Sequence, residues 1–494
     1  MLRKIKSNKI LNIIFETIKT RKKLNILKYN KEMLKKLDIT KKDFQEFQLL
    51  KNFNEEMDLD IEDIDIKELN LSQKFSKIEV LKDISFKKLE LLNLSGNVIE
   101  DINFLEKVNS EKLKELYLNN NSISDIDVLK KVNFKELKIL ELSENEISDI
   151  NVLEKVNFKK LQELYLNLNH LTDIKVLGKV NFKDLKVLNL RNNAIEDINI
   201  LEKVNFKELK SLNLGYNAIK DIEVLNKVKF EKLENLLLSG NICIKEYHDI
   251  EVANFKELKE LDLSYYRYVS MEIFEKTNFE KMEKLSLDFC GINVEEFELL
   301  TKINFKNLKE LSLSMNNISD ISALEKVNFK ELQLLNLRKN NISDISVLEK
   351  VNFKELKVLV LTQNEISDIK VFEKVNFEKL EILILDRNEI SDITPLKKAN
   401  FKKLKELYLN RNKIENINVL KDVDFKELKE LDLDMNLISD IKVFKQTNFD
   451  KLEKLNMCGN RIDEKKYKNL INYLKSELIE FTYQSKSRIS DPVF

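Results

Sequence analysis

Apolar residues recur in this chain with a short period nested inside a long one. The stretch Val132–Lys155 reads V-N-F-K-E-L-K-I-L-E-L-S-E-N-E-I-S-D-I-N-V-L-E-K, and further copies start at Val156, Val180 and Val204, a period of 24 residues. Within one copy Leu140-Glu141-Leu142 alternates, which predicts a short strand with its leucines inward and Glu141 outward. Ile147, Ile150 and Leu153, followed by Val156 and Phe158 of the next copy, are spaced to close the same core from the return side. The segment I-N-V-L-E-K has a helical pattern, and either Ser148 or Asp149 just before it can cap it. A fixed period of this length predicts an α/β solenoid whose strands stack into a parallel sheet. One unit cannot bury its own apolar stripe, so no repeat is expected to fold alone.

Aligned on the Asn of L-x-x-L-x-L-x-x-N, the copies fall at Asn97, Asn121, Asn145, Asn169, Asn193, Asn217 and Asn241. They resume at Asn316, Asn340, Asn364, Asn388, Asn412, Asn436 and Asn460, again 24 apart. Tyr266 and Cys290 hold the slot between the two series, with spacings of 25, 24 and 26, which makes sixteen units. A degenerate copy, Glu68–Leu81, precedes them. Where the chain leaves each strand, an amide can bond backbone groups that no strand partner serves, so these asparagines are expected to form a ladder. The pattern resembles the leucine-rich repeat family. The I-S-D-I-x-V-L text, above all Ile390–Leu396, is similar to its short-repeat class, which includes a nuclear regulatory subunit of protein phosphatase 1 and the bacterial internalins. That resemblance implies a horseshoe or arc with a concave parallel sheet. Members of the class usually repeat about two residues sooner, so the return segment here is expected to be more helical.

Three regions follow: a basic helical headpiece over 1–62, the array over 63–462 with an irregular stretch at 242–302, and a capping helix and tail over 463–494. Residues 1–37 carry twelve Lys and Arg against Glu16 and Glu32, a local charge of +10. Ile10, Ile13, Ile14 and Ile18 share one helical face, and Ile26, Tyr29, Met33 and Leu37 form a second stripe. Thr40 and Asp43 read as a helix start before Phe44, Phe47, Leu50 and Phe53. Three short helices are expected, and they can serve simply as the cap that a solenoid end requires. Lys9–Met33 also resembles an F-box, although the Leu-Pro that opens that motif and the Trp near its end are absent; this implies a substrate receptor of a cullin-type ubiquitin ligase. The remaining alternative is a basic face for anionic lipid or nucleic acid. At the other end Tyr467, Leu470, Ile471, Leu474 and Leu478 predict a capping helix over Lys465–Leu478, and Ile479–Tyr483 an edge strand.

Composition narrows the function. Charged residues make up 34% of the chain and balance to zero, which describes a mixed-sign, solvated surface and not a nucleic-acid binder as a whole. Three cysteines, Cys243, Cys290 and Cys458, make no disulfide framework and suit a reducing compartment. No apolar run is long enough to span a membrane. The N-terminus shows no secretory cleavage site, and Lys dominates where a mitochondrial transit peptide should be rich in Arg and Ser. A monomeric cytoplasmic protein is expected.

No catalytic constellation emerges. His170 and His248 are the only histidines, and neither has a second His or paired Cys near it to complete a metal site. Cys243 and Cys290 stand at core and ladder positions and read as packed small hydrophobes. There is no Gly-rich phosphate loop and no G-x-S-x-G elbow. Lys131-Val132-Asn133-Phe134, with copies at Lys155, Lys179, Lys203 and Lys350, resembles the docking motif of protein phosphatase 1 regulators. Its Val and Phe occupy core positions in unit after unit, so the structural reading is preferred.

The function expected is a non-enzymatic scaffold, without cofactor or metal, that binds a protein on the concave face. The convex text barely changes between units, whereas the outward strand positions change in every one. Candidate contacts are Tyr117, Tyr165, Arg191, Tyr216, Tyr265, Phe289, Met315, Arg338, Tyr408 and Met435, because aromatic, Arg and Met side chains dominate protein interfaces. The alternatives are the F-box-like receptor and a phosphatase-regulatory subunit. The irregular stretch, with Tyr265-Tyr266-Arg267-Tyr268, reads equally as a bend or a contact loop.

Overall fold

The computed structural model describes residues 41–59, 61, 65–74, 78–82, 84, 86–108, 110–242, 255–275 and 279–483. The amphipathic stripes between Ile10 and Leu37, the F-box-like segment, Cys243 and His248 lie outside the described residues. The chain divides into two compact units, Met1–Leu233 and Glu234–Phe494.

In the first unit β1 (Glu68–Asn70), β2 (Leu91–Asn93), β3 (Glu115–Tyr117), β4 (Ile139–Glu141), β5 (Glu163–Tyr165), β6 (Val187–Asn189) and β7 (Ser211–Asn213) follow one another. Each pairs with the next in parallel, and from β2 onward the register carries every residue onto the one 24 positions later. The second unit repeats the plan with β8 (Asn235–Leu237), β9 (Glu260–Asp262), β10 (Lys284–Ser286), β11 (Glu310–Ser312), β12 (Leu334–Asn336) and β13 (Val358–Val360). It continues through β14 (Ile382–Ile384), β15 (Glu406–Tyr408), β16 (Glu430–Asp432), β17 (Lys454–Asn456) and β18 (Glu480–Thr482). The degenerate copy supplies β1, and the expected terminal edge strand is β18, parallel to β17. In each strand of the repeats the central Leu is buried, flanked by outward residues that stay partly exposed.

The return side is less helical than the repeat length suggested. Most units cross back in a single 3-10 turn, such as Asn151–Lys155 or Ser346–Glu349. The cap at its start is the aspartate: Asp149 Oδ1 accepts from Asn151 N at 2.7 Å, and Asp344 Oδ1 from Ser346 N at 2.7 Å. That bond spans only two residues and tightens the chain into a turn instead of opening a helix. The extra length goes into the extended Val-Asn-Phe and a turn closed by Leu137 N on Phe134 O at 3.2 Å. Short α-helices occur at α2 (Leu105–Val108), α3 (Glu272–Glu275) and α4 (Val294–Glu298). In α4, Asn293 Oδ1 caps the helix by accepting from Glu296 N at 2.9 Å.

Phenylalanines stack through the core beneath these turns. Phe279, Phe305, Phe329 and Phe353 lie with ring centroids 5.6, 6.2 and 6.3 Å apart. Helix α1 (Lys41–Met57) buries Leu50, Phe53 and Met57, with Phe53 edge-on to Phe86 at 5.5 Å. At the far end α5 (Glu464–Glu477) buries Tyr467, Leu470, Ile471 and Leu474 and is capped by Asp463, which accepts from Lys465 N and Lys466 N. Both pack apolar side chains where a stack of repeats would otherwise present its core to water.

The balanced charge has a structural outlet. Lys160, Lys232, Lys379 and Lys451 reach back one repeat to Glu136, Glu208, Glu355 and Glu427 at 2.6–2.7 Å. Such partly exposed pairs each contribute little to stability. Their regular recurrence places both signs side by side on the same face.

Candidate functional site

The open face of each sheet is held by the asparagines where the strands end. Asn145 Nδ2 donates to Leu118 O at 3.0 Å, Leu142 O at 3.1 Å and Ser143 O at 3.0 Å, while its Oδ1 accepts from Ile123 N at 3.0 Å. One amide thus joins two consecutive turns through backbone groups that the three-residue strands leave unpaired. The same arrangement recurs at Asn97, Asn121, Asn169, Asn193 and Asn217. In the second unit it recurs at Asn316, Asn340, Asn364, Asn388, Asn412, Asn436 and Asn460, and Asn241 Nδ2 donates to Leu238 O at 2.7 Å.

Tyr266 and Cys290 fill the rung with other donors. The buried Tyr266 hydroxyl donates to Leu238 O, and Cys290 Sγ to Leu263 O at 3.2 Å. Burial pushes the Cys290 thiol well above its ordinary range, which makes it a poor nucleophile. The next residue is Gly291, at φ +69°, where a Cβ would stand 2.6 Å from Arg267 O. Only glycine fits there, and the longer unit spacing is taken up further on, in the helical return Val294–Glu298 and Leu299–Lys302.

The residue before each rung is left-handed. Glu144, Tyr216, Phe289, Met315, Arg387 and Met435 have φ between 51° and 58°, and Tyr265 has 66°. A non-glycine residue pays about 1–2 kcal/mol for this conformation. Tyr216, Tyr265, Phe289, Met315 and Met435 therefore sit on a rim turn, past the end of the strand. There Tyr216 is 38% exposed and Phe289 and Met435 are each 47% exposed. Tyr265 and Phe289 bring their rings to 6.2 Å. Arg191 and Arg338 lie two residues beyond their strands, and the Arg191 guanidinium stands over the Tyr216 ring at 4.4 Å, a favourable cation–π contact.

Tyr117, Tyr165 and Tyr408 are true strand residues on the open face. Each hydroxyl donates to the glutamate two positions back: Tyr117 to Glu115 at 2.9 Å, Tyr165 to Glu163 at 2.8 Å, Tyr408 to Glu406 at 3.0 Å. Burial, reinforced by Glu115, pushes the Tyr117 phenol up to about 12, and Tyr165 and Tyr408 rise further. The register sets Glu141 between Tyr117 and Tyr165. Burial raises the Glu141 carboxyl while Ser143 N and Oγ donate to it. The arrangement offers ring faces with their polar ends already satisfied. It sets up no nucleophile beside a base.

β13 and β14 carry no aromatic, Arg or Met side chain on their outward positions. Val358, Val360, Ile382 and Ile384 all face outward and are half-buried. The signal was present in V-L-V and I-L-I, where a half-solvated strand should alternate.

Burial also pushes the Asp432 carboxyl up to about 6. The folded protein thus holds this proton to higher pH than the unfolded chain, and stability is lost as pH rises from about 4 through about 6. Asp432→Asn should match the parent below pH ~4 and exceed it by about 2 kcal/mol above pH ~6. Urea unfolding at both pH values checks this, and equal curves at neutral pH would refute it.

His170 is exposed, and among the described residues no cluster of His, Cys, Asp or Glu could hold a metal. Among them too, no helix is long and apolar enough to cross a membrane. The phosphatase-docking motif is not accessible as a peptide: Phe134, Phe158, Phe182, Phe206 and Phe353 are at most 2% exposed.

Stacked parallel strands, a hydrogen-bonded rung in each unit that is asparagine in all but two, and a left-handed rim together define a repeat solenoid of one kind. A family model for paired leucine-rich repeats matches residues 111–155, 159–203, 183–227 and 378–422, and a single-repeat model matches 306–324. The chain is a leucine-rich repeat protein. A leucine-rich repeat protein of Leptospira interrogans shares the fold, with TM-score 0.55 and 22% identity over 85% of this chain and 96% of that one. An internalin of Listeria monocytogenes is 26% identical over 79% of this chain and 87% of its own, with TM-score 0.38. The ectodomain of an Arabidopsis thaliana membrane receptor kinase, solved with Casparian strip integrity factor 2, is 18% identical over 81% of this chain and 56% of that chain, with TM-score 0.48. No curated protein sequence matches the chain.

Proposed function

We propose that this protein is a non-enzymatic scaffold that binds a protein partner on the open, concave face of its leucine-rich repeats, as a monomer in the cytoplasm. The observation that carries this reading is the Tyr117–Glu141–Tyr165 row. Two rings stand on outward strand positions two strands apart, on either side of Glu141, their hydroxyls bonded within the chain, so a partner can cover them without stranding a polar group. Glu115, Glu163 and Glu141 give the row an acidic setting, which favours a partner with basic or donor groups at its contact edge. The candidates on the rim turns extend this face outward. The Lys-Val-Asn-Phe copies add no support to the phosphatase-regulatory alternative, because their phenylalanines are buried core.

The test is affinity purification with mass spectrometry from the native cell, using the parent and the Tyr117→Ala/Tyr165→Ala variant. Alanine removes both rings without adding charge beside Glu115 and Glu141. The specific partners of the parent should disappear while the melting curve holds. Capture of the same partners in the same amounts by the variant would defeat the reading.

A further inference from the structure

In most strands of the array at least one outward position is polar; β13 and β14 have none. The register aligns Leu334, Val358 and Ile382 in one row, and Val360, Ile384 and Tyr408 in the row beside it. All six are half-buried by their neighbours and covered by nothing else in the described chain. Neighbouring strands lie about 5 Å apart, so the six side chains form one contiguous apolar platform. A patch of this kind on a soluble sheet marks a contact surface more often than drift does.

The platform has a charged border. Where β12–β15 end, the outward and rim positions carry Arg338, Lys339, Arg387 and Arg411, against the single carboxylate Asp386. Asp386 accepts from the Thr362 hydroxyl at 2.6 Å and also lies within the electrostatic reach of Arg338 and Arg387. Arg411 also lies beside Asp434 of the next unit. At these strand ends the cations outnumber the carboxylates, whereas Glu406 and Asp432 follow Ile382 and Tyr408 in the two rows.

We propose that this platform receives a protein segment whose apolar side chains are followed by carboxylates, the apolar part on Val360 and Ile384 and the acidic part against Arg338 and Arg387. The proposal rests on the reading that the open sheet face binds a protein, and it names the chemistry of one partner segment. Guanidinium groups suit carboxylates through paired hydrogen bonds. Single-stranded nucleic acid fits less well, because bases stack on aromatic rings and the platform is aliphatic except for Tyr408.

The experiment uses the full chain as bait for a displayed library of short random peptides. Enriched peptides should combine aliphatic or aromatic residues with Asp or Glu. Synthetic copies, followed by fluorescence anisotropy, should bind V360T/I384T at least about tenfold more weakly. Threonine keeps the branched shape that strands favour, and an unchanged melt shows that the fold persists. Selection against R338E/R387E should return basic peptides instead. Binding to Y117A/Y165A should not change.

Enrichment of nothing, peptides without acidic excess, or equal affinity for V360T/I384T would overturn the proposal. Displacement of the peptides by a single-stranded RNA oligonucleotide would also overturn it, in favour of a nucleic-acid site. Peptides lost only in Y117A/Y165A would overturn this assignment and leave the wider sheet-face reading standing. Peptides indifferent to both variants would count against both.

Discussion

Asn364→Leu should destabilise the protein by about 3–5 kcal/mol, one of the two largest single-residue losses expected. The asparagine is 8% exposed, so water cannot replace what it supplies. Its Nδ2 donates to Leu337 O at 3.0 Å, Leu361 O at 3.1 Å and Thr362 O at 3.3 Å, and its Oδ1 accepts from Ile342 N at 3.0 Å. Leucine fills the volume and offers none of these bonds. Each buried backbone group left unpaired costs about 1–3 kcal/mol, and at least the Ile342 amide and one carbonyl are stranded. Asn364→Asp should be no better, since a carboxylate would face three carbonyl oxygens. Urea unfolding measures the loss, and hydrogen exchange at the Ile342 amide locates it. A shift below about 1 kcal/mol would mean that the rung is not what joins consecutive turns. Neighbouring units should lose protection first, because a solenoid transmits strain through adjacent interfaces.

Phe134→Ala is expected to cost a similar amount, about 3–5 kcal/mol, by opening a cavity beneath the turn that Phe134 and Leu137 close. This experiment separates two readings of Lys131-Val132-Asn133-Phe134. A docking peptide would lose its partner on this change and keep its melting curve. A core side chain at 0% exposure should do the reverse: a lower urea midpoint, with any binding on the open sheet face unaffected until the fold fails. An unchanged midpoint would return the motif to the list of functional candidates.

These two sites were legible in the sequence because their roles are repeated. An asparagine that returns every 24 residues beside alternating leucines can hardly have any role but a shared one, and a Phe that recurs with it must sit in the same layer of every unit. The substitutions at Tyr266 and Cys290 were visible as breaks in the series. That a phenol and a thiol still deliver a hydrogen to the preceding turn was not, because it depends on reach and direction across the stack. The return side was misjudged for a local reason. Counting residues suggested helix, whereas the aspartate cap two residues before the turn favours a tight one.

The candidate site was less legible. Tyr117, Tyr165 and Tyr408 are strand residues by alternation alone. Tyr216, Tyr265, Phe289, Met315 and Met435 stand one residue before the rung, three positions past the slot of those tyrosines, and sit on a left-handed rim.

By itself the sequence determined the period, the strand of every unit, the asparagine rung and the layer of buried leucines and phenylalanines, since each follows from spacing within one repeat. Only the tertiary structure decided what faces what between repeats. It joined Leu334, Val358 and Ile382 into a row, set Glu141 between two tyrosines, and turned Tyr216 under Arg191. Those neighbours are a full repeat apart in the chain, and their meeting depends on the register and twist of the stack, which no single unit encodes.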